Sequence, residues 1–299
     1  MKIAITGATG FLGAAIARAL ASDGFEVCAL GRRPAAVPAI EFKEWDALRG
    51  EPPAGALAGA TAVVHLAGEP VAQRWNEEVK RRIRDSRVAG TRNLVAGLAR
   101  LDPRPEVLVS ASAVGIYGSR GEETLTEDAP PGTGFLPEVC QAWEAEAQGA
   151  SILGIRVVIL RIGMVLGPGG GALKAMLMPF RLGLGGPLGS GRQWLPWIHI
   201  DDVVGLVRFA IRTPGLSGPV NATAPSPVRN RDFSRALGRA LRRPAVLPVP
   251  EFAIRLLYGE MAEIVLASQR VLPRKALAAG YAFRRQDLDA ALRDVLSTR

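Results

Sequence analysis

With 299 residues, 48% of them hydrophobic and 22% charged, the chain has material for a large core in one or two domains, which excludes disorder of the whole chain. Lys and Arg outnumber Asp and Glu by 37 to 28, a net charge of +9, but the cations are scattered in short clusters such as Arg81–Arg82 and Arg242–Arg243. No basic stripe interleaved with aromatics accompanies them, so anionic small ligands are expected and a nucleic-acid partner is not.

In chain order, Lys2–Thr6 reads as a short strand and Phe11–Asp23 as a helix stopped by Gly24. Glu26–Leu30 and Ile40–Trp45 read as the second and third strands, and Ala62–Leu66 ("AVVHL") as a fourth, buried on both faces. Glu77–Leu101 is a long helical pattern, rich in Arg on one side. Val107–Ser110 is a fifth strand, Pro137–Gly149 a helix and Arg156–Arg161 a sixth strand. Strands alternating with helices predict an α/β fold, a doubly wound parallel sheet covered on both faces. From Leu166 the run "LGPGGGALKAMLMPFRLGLGGPLGSG" is too rich in glycine for regular sheet and is expected to be a lid or active-site segment. A helix follows at Asp202–Arg212, and from Asn230 the pattern is mainly helical, broken by Pro244, Pro248 and Pro250.

Gly7, Gly10 and Gly13 in "ITGATGFLGAAIARAL" stand between the first strand and the first helix. Gly7 permits the tight turn, Gly10 lets the backbone approach a pyrophosphate, and Gly13 lets helix and strand pack closely. The helix start offers free N–H groups and a positive dipole end to phosphate. Thr9, Phe11 and Leu12 complete the loop expected to hold the dinucleotide. At the end of the second strand, where an NAD site usually places an acidic acceptor for the ribose 2′-hydroxyl, stand Arg32 and Arg33. Two guanidinium groups suit a 2′-phosphate, so NADP is expected ahead of NAD. Asp46 is a candidate acceptor for the adenine amino group.

The four motifs "TGATGFLG", "VVHLAG", "VLVSASAVGIYG" and "PWIHIDDVV", in that order, resemble the extended short-chain dehydrogenases and reductases of the epimerase/dehydratase branch. Within that branch, "RWNEEVKRRIRDSRVAGTRNLV" and "RALRRPAVLPVPEFAIRLLYGEMAEIVLASQRVLP" look most like an atypical epimerase subgroup. The resemblance implies a Rossmann sheet with a smaller, mainly helical C-terminal substrate domain. The division expected is 1–165, with 195–215 returning to it, against 166–194 and 216–299. It also implies that Leu66, Ala67 and Gly68 lie beside the cofactor and that Ser110 and Ser112 end a strand near the nicotinamide.

The branch normally carries a catalytic Tyr followed four residues later by a Lys that lowers its pKa. The three tyrosines here, Tyr117, Tyr258 and Tyr281, are followed at that spacing by Gly121, Ala262 and Arg285. The matching positions are Cys140 and Glu144, and the family's cofactor-side Asn corresponds to Arg87. The candidate catalytic group is therefore Ser112, Cys140 and Glu144. A carboxylate at Glu144 raises the pKa of a neighbouring thiol and is available to pair with Arg87. His65 reads as a packed histidine and His199 as a pocket-floor residue, while Asp201 and Asp202 read as helix-start residues. Arg161, Arg192 and Trp197 are candidate substrate contacts or structural residues. Lys80 and Arg87 share one helix face.

Cys28 and Cys140 form neither a disulfide framework nor a zinc cluster, and no metal is expected. No apolar run reaches bilayer length, and "MKIAITGATG" has no long apolar stretch before its glycines. The expectation is a cytoplasmic chain with no signal peptide and no membrane partner. The expected function is NADP(H)-dependent chemistry on a sugar-like or anionic small molecule, as a nucleotide-sugar epimerase or carbonyl oxidoreductase with a non-standard proton relay. The alternative is a non-enzymatic NADP(H)-binding sensor or regulator. Assembly as a homodimer is compatible with either.

Overall fold

The computed structural model describes all residues except 35, 36, 38, 39, 54, 298 and 299. The first half builds β1 (Lys2–Thr6), α1 (Phe11–Ser22), β2 (Glu26–Gly31), β3 (Glu41–Glu44), β4 (Ala60–His65), α2 (Glu77–Ala99) and β5 (Val107–Ala113). There follow β6 (Thr124–Leu125), α3 (Phe135–Gln148), β7 (Arg156–Ile162), β8 (Met164–Leu166) and α4 (Gly171–Arg181). The second half continues through β9 (Trp194–Leu195), β10 (Trp197–His199), α5 (Ile200–Arg212), β11 (Gly218–Ala222), β12 (Val228–Arg229) and α6 (Asn230–Leu241). It closes with α7 (Glu251–Tyr258), α8 (Ala262–Leu266), β13 (Arg270–Val271), α9 (Arg274–Ala278) and α10 (Leu288–Ser297).

The central sheet has seven strands in the order β11-β7-β5-β4-β1-β2-β3, all parallel. Because side chains alternate across a strand, each apolar strand feeds two cores. Ile3, Ile5, Val64, Val109 and Leu160 face one side, where α1 and α5 cover them with Ile16, Leu20, Val203 and Leu206. Ala4, Val63, Leu108 and Val157 face the other, against Leu94 and Leu98 of α2. A third cluster joins α4, α6 and α10 through Phe180, Phe233, Leu237 and Leu292. This is the doubly wound architecture expected, with a helical C-terminal part. Strand order reverses between β1 and β4, so their carboxyl ends open a crevice at the switch point.

Two elements depart from the sequence reading. The seventh strand, β11, lies in the stretch assigned to the C-terminal part, where Gly218, Pro219 and Asn221 hide its strand character. It pairs along β7 from Val158 to Ile162. The glycine-rich segment contains a helix, α4, because "ALKAMLM" is made of strong helix formers with a periodic apolar face that carry it through Pro179. Among the described residues, no helix is long and apolar enough to cross a membrane.

Candidate cofactor cradle and active site

Gly7 has a φ of +72°, and a Cβ there would stand 2.9 Å from the Leu66 carbonyl and the Ala67 nitrogen. A Cβ on Gly13 would stand 2.1 Å from the Gly7 carbonyl oxygen, so both positions exclude any side chain. At Gly10 the nearest atom to a Cβ is 3.3 Å away, and the space beyond is open. No side chain caps α1, so its first-turn N–H groups are left for a ligand. Thr9 and Gly10 are exposed at this mouth, and Phe11 and Leu12 are half-buried. The Phe11 ring packs against the glycine-rich segment. A Cβ on Gly167 or Gly170 would come within 2.8 Å or 2.2 Å of that ring. Those glycines are therefore dictated by the ring packed against them.

His65 is fully buried and fixes the opposite wall. The Thr6 Oγ1 accepts from the Leu66 N–H at 3.2 Å and the Ala67 N–H at 3.3 Å, which occupies its lone pairs. Its proton therefore goes to His65 Nδ1, 2.7 Å away, and His65 Nε2–H donates to Thr91 Oγ1 at 2.9 Å. Burial pushes the imidazole pKa down to about 4, so the ring stays neutral. His65 is a positioning residue for Leu66–Gly68, as its packed environment suggested. Ser110, its register partner on β5, is buried too.

Arg32 and Arg33 follow β2 at the carboxyl edge of the sheet, both exposed. Neither has a carboxylate within ion-pair distance among the described residues. Asp46 is already engaged: its Oδ1 accepts from the Leu48 N–H at 3.1 Å, and Arg49 lies 3.4 Å from Oδ2.

Across the crevice, the register sets Ser112 of β5 beside Arg161 of β7, and both meet Glu144 of α3. Ser112 Oγ donates to Glu144 Oε1 at 2.6 Å. Arg161 grips the same carboxylate with two bonds, of 2.9 and 2.8 Å. Burial alone would lower the guanidinium pKa, but the carboxylate holds it above the ordinary value. The remaining Arg161 nitrogen donates to Tyr117 Oη at 3.0 Å and to the Glu127 carbonyl at 3.1 Å, and Tyr117 donates to Asn221 Oδ1 at 2.7 Å. Tyr117 is thus built into the core and takes no catalytic tyrosine's place.

The pairing expected between Glu144 and Arg87 does not form. Arg87 donates to the Glu69 and Ile83 carbonyls at 3.0 and 3.1 Å and lies over the Trp143 ring, 5.1 Å from its centroid. Arg161 wins the carboxylate because strand register delivers it there. Arg87 instead closes on Gly68, where a Cβ would stand 3.3 Å from its Cζ. Cys140, one helical turn before Glu144, is buried, and burial followed by the Glu144 charge pushes its thiol up to about 11. At neutral pH it is a protonated, unreactive thiol.

The other candidates stand as follows. Trp197 is buried and donates to the Ser226 carbonyl at 3.0 Å, Arg192 is exposed, and Lys80 pairs with Glu77 and Glu260. The cap of α5 is His199, whose Nδ1 accepts from the Asp201 N–H at 3.1 Å, while Asp294 lies 3.2 Å from its Nε2. Asp202 is fully buried and accepts from the Arg284 and Arg285 N–H groups at 2.8 and 2.9 Å. The Tyr117–Asn221–Glu127 support went unread in the sequence. The signal for it was Arg161 itself, a cation inside the apolar run "VVILRI", which demands a buried carboxylate.

A model of the NAD dependent epimerase/dehydratase family matches residues 3–221. The chain belongs to that family. A second family model, a domain of unknown function (DUF1731), matches residues 249–295 of this epimerase-family protein. The Arabidopsis thaliana protein described as an epimerase family protein SDR39U1 homolog, chloroplastic, is 41% identical over 99% of this chain and 87% of its own length. The Bacillus subtilis epimerase family protein YfhF is 39% identical over 100% of this chain and 99% of its own. A crystal structure of human epimerase family protein SDR39U1 (isoform2) with NADPH aligns at a TM-score of 0.90 with 35% identity, covering 100% of both chains. Both identities span the C-terminal part, so the atypical subgroup likeness holds along the whole chain.

Proposed function

We propose that this epimerase-family protein binds NADP(H) and uses it for redox chemistry at an alcohol or carbonyl carbon of a sugar-like or anionic small molecule, as an oxidoreductase or a nucleotide-sugar epimerase. The cradle fits the cofactor: an uncapped helix start behind a tight glycine turn, with exposed Arg32 and Arg33 where a 2′-phosphate would fall. The human relative crystallised with NADPH supports this reading. Residues 1–165 and 195–215, with the edge strand β11 added, would hold the cofactor, and the remainder would form the substrate side.

The observation that carries the chemistry is the 2.6 Å bond from Ser112 to Glu144, with Glu144 clamped by Arg161. The bound cofactor accepts or supplies the hydride. In the oxidising direction the Ser112 Oγ takes the substrate hydroxyl proton while its own proton passes to Glu144; reduction runs the same path backward. Arg161 holds the carboxylate in the geometry this relay needs, and Arg87 and Trp143 bound the pocket beside Gly68. Of this arrangement Glu144 stands at the position the resemblance gives to the family's Lys, while Cys140, at the Tyr position, would take no part.

Titrating NADPH, NADP, NADH and NAD against the protein tests the cofactor reading. The phosphorylated pair should bind about tenfold or more tighter, and Arg32→Ala with Arg33→Ala should erase the difference. With nucleotide sugars and small carbonyl compounds as substrates, Ser112→Ala or Glu144→Gln should cut turnover by about 10²-fold or more with NADPH affinity intact. Unchanged turnover in both would sink the relay. One observation favours the second reading, a cofactor sensor without chemistry: the Ser112 proton, both Glu144 oxygens and the Arg161 donors already have internal partners. That reading predicts tight NADPH binding and no turnover on any substrate.

A further inference from the structure

One face of the molecule leaves large apolar side chains in water. Phe252 and Leu256 of α7 are 73% and 74% exposed, Val246 is 74% and Leu182 66% exposed, with Leu184 and Leu247 beside them. They form one surface. The 182–189 loop and the 244–249 segment pair through backbone bonds, Gly189 N–H to Val249 O at 2.8 Å and Val249 N–H to Pro187 O at 2.9 Å, and α7 begins two residues later. Helix α7 buries only Ile254, so nearly all of its apolar surface points outward. Val246 borders a shallow depression with Arg235, Arg242 and Arg243, and scattered exposure does not explain six apolar tips together.

The charge around the tips is mostly of one sign, its exposed carboxylates being Asp232, 3.8 Å from Arg235, and Glu251, paired with Arg255. No Asp or Glu occurs from 167 to 200 or from 233 to 250, whereas Arg181, Arg235, Arg242 and Arg243 all stand exposed there. Arg181, Arg242 and Arg243 have no carboxylate within ion-pair distance among the described residues. A two-fold contact would press this face onto itself, since an isologous interface buries the same patch on both copies. It would then set unpaired arginines against arginines. An anionic phospholipid surface accepts both features at once, the apolar tips in the interfacial region and the guanidinium groups among the headgroups.

We propose that this face docks the protein peripherally on an anionic phospholipid bilayer. The proposal is independent of the relay and of the cofactor reading. The test is co-sedimentation of the full chain with phosphatidylcholine vesicles with or without about one third phosphatidylglycerol, at low and high salt. Binding is expected only with phosphatidylglycerol and should weaken with salt. Arg242→Gln with Arg243→Gln should lower partitioning about 30-fold, at about fivefold per cation lost. Phe252→Ser with Leu256→Ser should lower it about tenfold or more. All four side chains are exposed, so NADPH affinity and melting temperature should stay at the wild-type values. If the serine variant is not recovered folded, the arginine variant decides. Failure of the wild type to bind, equal binding to both vesicle types, or variants that bind like wild type would each overturn the proposal. So would a dimer or an acidic-protein complex in sedimentation experiments that the serine variant abolishes.

Discussion

The buried pair of Glu144 and Arg161 sets the energetics of the site at the scale of single residues. Both side chains are about nine-tenths buried, so removing one leaves an uncompensated charge. Arg161→Met should therefore destabilise the fold by about 3–5 kcal/mol in chemical denaturation, and adding Glu144→Leu should recover most of that loss. A single variant within experimental error of wild type would contradict the pairing. His65 gives a pH signature. Its folded pKa lies near 4 and its ordinary value is 6.5, so the unfolded chain takes the proton first on acidification. Stability contributed by the neutral ring is full above pH ~6.5 and is lost as the pH falls toward ~4, about 2 kcal/mol by pH ~5. In His65→Asn that slope should be absent. The sequence singled out Ser112, Cys140 and Glu144 as candidates, but it could not say which of them meet or that Arg161 joins them. Pairing depends on which strand lies beside β5, and register is set by long-range contacts.

Single elements were easier to read. Strands β1, β4, β5 and β7 advertise themselves by uninterrupted apolarity, because both of their faces are covered. The loop before α1 announces its turn by glycines whose spacing has no other purpose. Where propensity and environment conflict, as in β11, the sequence hides the element. The glycine-rich segment offers a test at this scale. Gly170→Ala would push a Cβ to 2.2 Å from the Phe11 ring and should displace both the loop and the ring, weakening NADPH binding. The double variant Phe11→Ala with Gly170→Ala should restore the loop position, judged by proteolytic protection of 167–171. A double variant more exposed than the single one would refute the steric account.

The whole molecule is held together by contacts that join distant parts of the chain. Asp202, at the start of α5, satisfies two backbone N–H groups at 284 and 285 and lies 3.2 Å from Tyr281 Oη. Asp202→Ala leaves those partly buried donors without their carboxylate, at a cost of about 1 kcal/mol each. Hydrogen exchange should then quicken across 281–295 ahead of the central sheet; uniform change across the chain would argue against a local clasp. The sequence placed Asp202 correctly near a helix start but gave no sign of its partner, which lies some eighty residues on. The Phe11 ring has a consequence at this same scale. Phe11 opens α1 directly after the dinucleotide loop, and its ring packs against the segment leading into α4. A ring shared in this way couples the two: whatever factor the dinucleotide gains from an ordered 167–171 segment, a second ligand that orders the segment gains equally, so loading of either one primes the other.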